Sequence, residues 1–130
     1  MKKSSKKMSE KTMNEGVAAI GIDLSDGTGR FYAIDDEGKK IAEGTIALRT
    51  PELEKWARSI PPTVMAIEAG THSPWISRLL ARCGHEVIVA NPVKVALITK
   101  NVQKTDPVDA EYLARLARFD RELLFAIQHR

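Results

Sequence analysis

The stretch that decides the fold is VAAIGIDLSDGTGRFYAIDDEGKKIAEGTIAL, residues 17–48. Its first eight residues are a dense apolar run ending at Asp23 and Leu24, followed by the turn-prone SDGTG. A run of that length and composition predicts a central, buried strand. RFYAID (30–35) and IAEGTIAL (41–48) are shorter strand-forming segments separated by the turn DEGK, so the three predict an antiparallel meander.

Beyond residue 48 the pattern changes to alternating helix and strand. Thr50 and Pro51 supply an expected N-cap and first-turn proline for a helix over roughly 51–59, with Leu53, Trp56 and Ala57 at helical spacing and Pro61-Pro62 as the stop. TVMAIE (63–68) is a second buried strand, and Ser73-Pro74 opens a helix carrying Trp75, Ile76, Leu79 and Leu80, closed at Gly84. EVIVA (86–90) is the fifth strand, Asn91-Pro92 starts another helix, and Asp106-Pro107 begins a last one running through Leu113 and Leu116. Three antiparallel strands followed by strands entering through helical crossovers predict an α/β fold: an RNase H-like mixed five-stranded sheet with flanking helices.

That topology brings chemistry-bearing residues together. If the fourth strand lies parallel beside the first, Asp23 and Glu68 close neighbouring strands on the rim where open α/β sheets bind ligands. KTDPVDA (104–110) adds Asp106 and Asp109, three apart at a helix start. Each acid alone has a plain structural role: Asp106 as N-cap, Asp109 at N3 favoured by the helix dipole, Asp23 in an Asx turn and Glu68 as a strand-end acid. Together they form four acids from three segments, with no arginine or histidine in the same motifs to neutralise them. A like-charge pair at about 4 Å and an effective dielectric near 20 costs roughly 4 kcal/mol, so a cation is required. All-oxygen donors suit Mg²⁺ or Mn²⁺, and two such ions can activate an attacking oxygen and stabilise a leaving one in phosphodiester cleavage.

Charge is unevenly placed. Five lysines against Glu10 and Glu15 give residues 1–15 the whole net charge of +3, while residues 16–130 balance at 15 basic and 15 acidic side chains. The tail is expected to be a disordered, solvated extension with weak attraction to phosphate, and the remainder one domain. Lys94, Lys100 and Lys104 lie in an acid-free stretch and are candidate phosphate contacts. The lone Cys83, expected to be a buried helix residue, excludes a multi-cysteine zinc site, and no apolar run spans a bilayer; the expected location is cytoplasmic. Trp56 and Trp75 fall at core spacing. His72, soon after Glu68, reads as a loop histidine hydrogen-bonded near Ser73, with metal or proton chemistry as its functional alternative. Leu123, Leu124, Phe125 and Ile127 are expected to form an exposed apolar stretch that favours self-association.

Four blocks, GIDLS around Asp23, AIEAG around Glu68, VANPVKV at 89–95 and KTDPVDAEYLARLA at 104–117, occur in an order that resembles the N-terminal part of the DEDD transposases and DNA invertases of insertion-sequence family one hundred and ten. The resemblance covers about residues 17–124. It implies a RuvC-like, RNase H-type domain in which Asp23, Glu68, Asp106 and Asp109 bind divalent metal, acting in DNA recombination, with a structured guide RNA and homo-oligomers as further partners. Family members continue into a helical domain bearing a serine used in strand exchange, and the chain stops at Arg130, so it is expected to lack that half and not to recombine DNA alone. GIDLSDGTGR also resembles the first phosphate loop of actin-like ATPases and sugar kinases, although no second phosphate loop follows. A non-catalytic nucleic-acid-binding or oligomerisation remnant is the third possibility.

Overall fold

A computed structural model of the chain describes residues 16–99 and 109–128, with the side chains of 96–99 excepted. Five strands, β1 (Ala19–Leu24), β2 (Thr28–Ile34), β3 (Lys40–Ala47), β4 (Val64–Glu68) and β5 (Glu86–Ala90), form one sheet in the order β3-β2-β1-β4-β5. β1–β2 and β2–β3 are antiparallel, whereas β4 runs parallel to both β1 and β5. This is the RNase H-like arrangement that the element order predicts. The strands buried on both faces, β1 and β4, are the continuous apolar runs, as expected for strands covered by helices on each side. β3, at the open edge, carries exposed Lys40 and Glu43 instead.

The two-residue period of β1 sorts its side chains between two cores. Ile20 and Ile22 face one side with Met65 and Ile67 of β4, against Leu53 and Ala57 of helix α1 (Thr50–Arg58) and Ile76, Leu79 and Leu80 of helix α2 (Ser73–Arg82). Ala19 faces the other side with Ala66 of β4, Val95 of helix α3 (Pro92–Thr99) and Leu113, Ala114 and Ala117 of helix α4 (Ala110–Phe119). Buried His85 ties the first layer to the sheet: it accepts from Thr63 N–H at 3.2 Å through Nδ1, leaving Nε2 to donate to the Ala57 carbonyl at 2.7 Å.

Turn chemistry follows the sequence closely. Gly27 and Gly38 take φ of 80° and 83° in the two hairpins, and the Asp35 carboxylate receives the Glu37 and Lys39 amides at 2.9 and 3.0 Å. Asn91 Oδ1 accepts from Val93 and Lys94 N–H at 3.0 and 3.1 Å and so starts α3 at the expected Asn91-Pro92. Several terminal assignments differ. Arg49, not Thr50, occupies the N-cap of α1 and makes no side-chain cap; Pro51 in the first turn and the Arg49–Glu52 ion pair hold that end instead. Cys83 caps the end of α2 and is only half-buried.

The segment after Arg121 is less exposed than its composition suggests. A short 3-10 turn (Arg121–Leu124) buries Leu124 fully, its carbonyl accepts from Asn91 N–H at 2.9 Å, and Ile127 N–H donates to Val89 O at 2.8 Å beside β5. Phe125, 39% exposed, is the residue of that stretch left open as a large apolar surface, joined elsewhere by Phe119 and Val93. Among the described residues no helix is long and apolar enough to cross a membrane.

Candidate functional site

Asp23 and Glu68 follow Ile22 and Ile67, the last paired residues of the parallel β1–β4 ladder, so they occupy adjacent strand ends on one rim. Strand parity gives them a common face as well. Asp23 has the parity of Ala19 and Gly21, and Glu68 that of Ala66, the side covered by α4. Both carboxylates are half-buried there.

α4 delivers the third acid. Asp109 is the N-cap of this helix, with Oδ1 accepting from Tyr112 N–H at 3.0 Å, rather than the N3 residue of a helix beginning at Asp106. The shift makes Asp109 itself the capping side chain and leaves its carboxylate exposed at the helix start. Asp106, Lys100 and Lys104 lie outside the described residues. Lys94 is exposed, with its ammonium 5.5 Å from the centroid of the Phe125 ring.

Gly21 explains how α4 comes so near β1. A Cβ at this position would lie 2.1 Å from the Ala110 carbonyl oxygen, 2.6 Å from Ala114 N and 2.9 Å from Leu113 Cβ. The first turn of α4 therefore rests on bare backbone two residues before Asp23. Its other end is fixed by Arg115 and Arg118, which donate to the Gly38 and Asp36 carbonyls of the β2–β3 hairpin at 2.8 Å each. Glycine in a buried strand commonly marks such an approach, and it was the available sequence signal for this contact.

The three acids interact electrostatically. Burial pushes the Asp23 carboxyl above its ordinary range, and negative Asp109 pushes it further, with Arg30 pulling the other way. Burial raises the Glu68 carboxyl too, reinforced by Asp23. Arg30 stands opposite Asp23 in the β1–β2 register and also lies 3.8 Å from Glu43. The acids are thus not wholly without a cation, as their own motifs suggest; the neutralising residue comes from the neighbouring strand.

These shifts fix the sign of a pH dependence. A carboxyl whose folded pKa exceeds its unfolded value binds the proton more tightly in the native state, so its favourable contribution is present at low pH and lost as pH rises through the folded pKa. Without divalent ions, Glu68→Gln is expected to flatten the decline in melting temperature between about pH 4 and neutrality. It should also raise the neutral-pH melting temperature by a few degrees, solvent screening at this half-exposed site keeping the gain small. Thermal unfolding followed by circular dichroism in chelator checks this; an unchanged slope would contradict the coupling.

The donor set suits a hard divalent cation, being carboxylate oxygens that repel one another. Among the described residues no three His, Cys, Asp or Glu side chains are already gathered closely enough to form a metal site. Next to Glu68 opens a cleft of about 190 Å³, walled by Ser25 and Asp26 from the β1–β2 turn and by Gly70, Thr71 and His72 from the β4–α2 loop. His72 is a loop histidine beside Ser73, as expected, and its hydrogen bond comes from Trp75; the Ser73 hydroxyl, fully buried, closes the loop through Gly70 N–H and the Gly70 carbonyl at 3.0 and 2.9 Å.

Comparison with known proteins agrees with this architecture. Residues 20–130 match the family model of the DEDD transposases of insertion-sequence family one hundred and ten, described as "Transposase". The chain is also 31% identical over 99 residues to a protein of Sinorhizobium fredii (strain NBRC 101917 / NGR234) named "Putative transposase y4pF/y4sB". That alignment covers 76% of this chain and 25% of the relative, so the chain spans about a quarter of the relative's length.

Proposed function

The chain belongs to the DEDD transposases of insertion-sequence family one hundred and ten, and from that membership we propose that it is the catalytic-type domain of a DNA transposase or site-specific recombinase. In this reading Asp23, Glu68, Asp106 and Asp109 hold Mg²⁺ or Mn²⁺ for phosphodiester cleavage and transfer. The observation that supports it best is the electrostatic chain from Asp109 through Asp23 to Glu68, built from two strand ends and one helix start.

A divalent ion bound there would supply Lewis-acid stabilisation of charge on phosphate and oxygen. The protein's own groups prepare the site. Asp23 and Glu68, set on adjacent strands, present oxygen donors whose orientation the sheet fixes, and the Tyr112 amide holds one oxygen of Asp109, the other having no hydrogen-bond partner among the described residues. Arg30 offsets part of the negative charge. Lys94, with Lys100 and Lys104, is proposed to contact phosphates of the DNA. A structured guide RNA, a homo-oligomeric assembly, a cytoplasmic location and a single domain over residues 16–130 behind a basic tail belong to the same proposal.

The test is a titration with Mg²⁺ or Mn²⁺ followed by thermal unfolding. The parent chain should be stabilised, and Asp23→Asn and Asp109→Asn should not be; equal responses in all three would refute the assignment.

A further inference from the structure

The loop joining β4 to α2 carries a histidine whose ring chemistry is set by its neighbour. Trp75 Nε1 donates to His72 Nδ1 at 3.4 Å, the two rings meeting edge to face at 83°. An indole N–H can only donate, so Nδ1 must be the bare nitrogen of a neutral imidazole and the proton sits on Nε2. Nε2 points away from Trp75 towards Asp26 Oδ1, 3.9 Å distant and too far for a hydrogen bond. The Asp26 side chain is fully exposed and can swing aside, whereas that of His72 is 42% exposed and lines the cleft beside Glu68.

We propose that His72 contacts the DNA strand, donating from Nε2–H to a non-bridging phosphate oxygen seated in the cleft between Glu68 and the β1–β2 turn. The inference rests on the reading of the neighbouring carboxylates as the metal-dependent site, and it adds a substrate contact to that site. The chemistry fits a phosphodiester. The cleft offers a neutral donor of fixed tautomer, the exposed Thr71 hydroxyl at its wall, and in Asp26 a carboxylate that occupies the anion's place only loosely. Asp26 is then a competitor for the same donor, and removing its charge favours the phosphate.

The experiment measures binding of a short duplex oligonucleotide to the full chain in Ca²⁺, at about 0.15 M salt to screen the lysine-rich tail, together with ¹⁵N resonances of the His72 ring. Expected are a proton on Nε2, an Nε2 resonance that moves on DNA addition, and about tenfold weaker binding for His72→Ala, the scale of one hydrogen bond to a charged group. His72→Gln, which retains an N–H donor, should recover part of that loss, and Asp26→Asn should tighten binding. Trp75→Phe frees Nδ1 and lets the proton redistribute, so it should weaken binding less than His72→Ala; a purely structural histidine would show no such tautomer dependence. Parent-like binding by His72→Ala, while Asp23→Asn loses its metal response, overturns the histidine's role and leaves the carboxylate site standing. Equal metal responses in the parent and Asp23→Asn overturn the site reading and this inference with it.

Discussion

Gly21→Ala is expected to lower the stability of the chain by about 3 kcal/mol, a fall in melting temperature on the order of 10 °C. The added methyl would enter the space of the Ala110 carbonyl oxygen and the Ala114 amide nitrogen, both backbone atoms of α4. Backbone in the first turn of a packed helix cannot rotate away as a flexible side chain can, so the helix must move as a body or lose its seat on β1. Truncating Leu113 at the same time should not rescue the variant, because the two closest contacts belong to the main chain. Gly70→Ala is the matched control: an added Cβ there meets nothing within 4 Å, and the expected change is within about 0.5 kcal/mol. Chemical denaturation of the three variants measures the difference directly. A mild effect at Gly21 would mean that α4, and Asp109 with it, is not held against the strand that bears Asp23.

The second large effect is the loss of metal-linked stabilisation. An ion that binds the folded chain alone, at about a hundredfold excess over its Kd, adds about 2.7 kcal/mol, roughly 10 °C for a domain of this size. Asp23→Asn and Asp109→Asn should each remove most of that rise, because they change charge and donor quality while preserving shape. Asp109→Asn is informative because asparagine is as good an N-cap as aspartate, so α4 keeps its start and a lost metal response is not explained by an unravelled helix. In chelator, Asp23→Asn should be no less stable than the parent, since Asp23 and Glu68 oppose each other's ionisation. Gly21→Ala, by displacing α4, should weaken the metal response without altering a single carboxylate.

The sheet was legible in the sequence because its signals are local. Apolar runs such as AIGIDL and VMAIE announce buried strands, DEGK and SDGTG announce turns, and Ser73-Pro74 and Asn91-Pro92 mark helix starts. The adjacency of Asp23 and Glu68 then follows from strand order alone. What escaped the reading depends on partners distant along the chain. Arg30 sits beside Asp23 only through the antiparallel register, and neither residue type nor spacing announces that pairing. The start of α4 at Ala110 places Asp109 at the N-cap, although the proline after Asp106 gave an earlier capping signal. Leu124 and Ile127 looked exposed because their partners, Asn91 and Val89, lie more than thirty residues upstream. His72 was legible as a hydrogen-bonded loop histidine near Ser73, but its partner, Trp75, one helical turn onward, was not.

Side chains from β1, β4 and the start of α4 are proposed to share one divalent ion. Paramagnetic broadening by Mn²⁺ tests it most directly, residue by residue, in the ¹⁵N–¹H spectrum of the full chain. At substoichiometric Mn²⁺, amides around Asp23, Glu68 and Asp109 are expected to broaden first and together, those of the acidic hairpin Asp35–Glu37 to remain sharp, and Asp23→Asn to abolish the pattern. Broadening that falls equally on the hairpin acids, or that persists unchanged in Asp23→Asn, would contradict it.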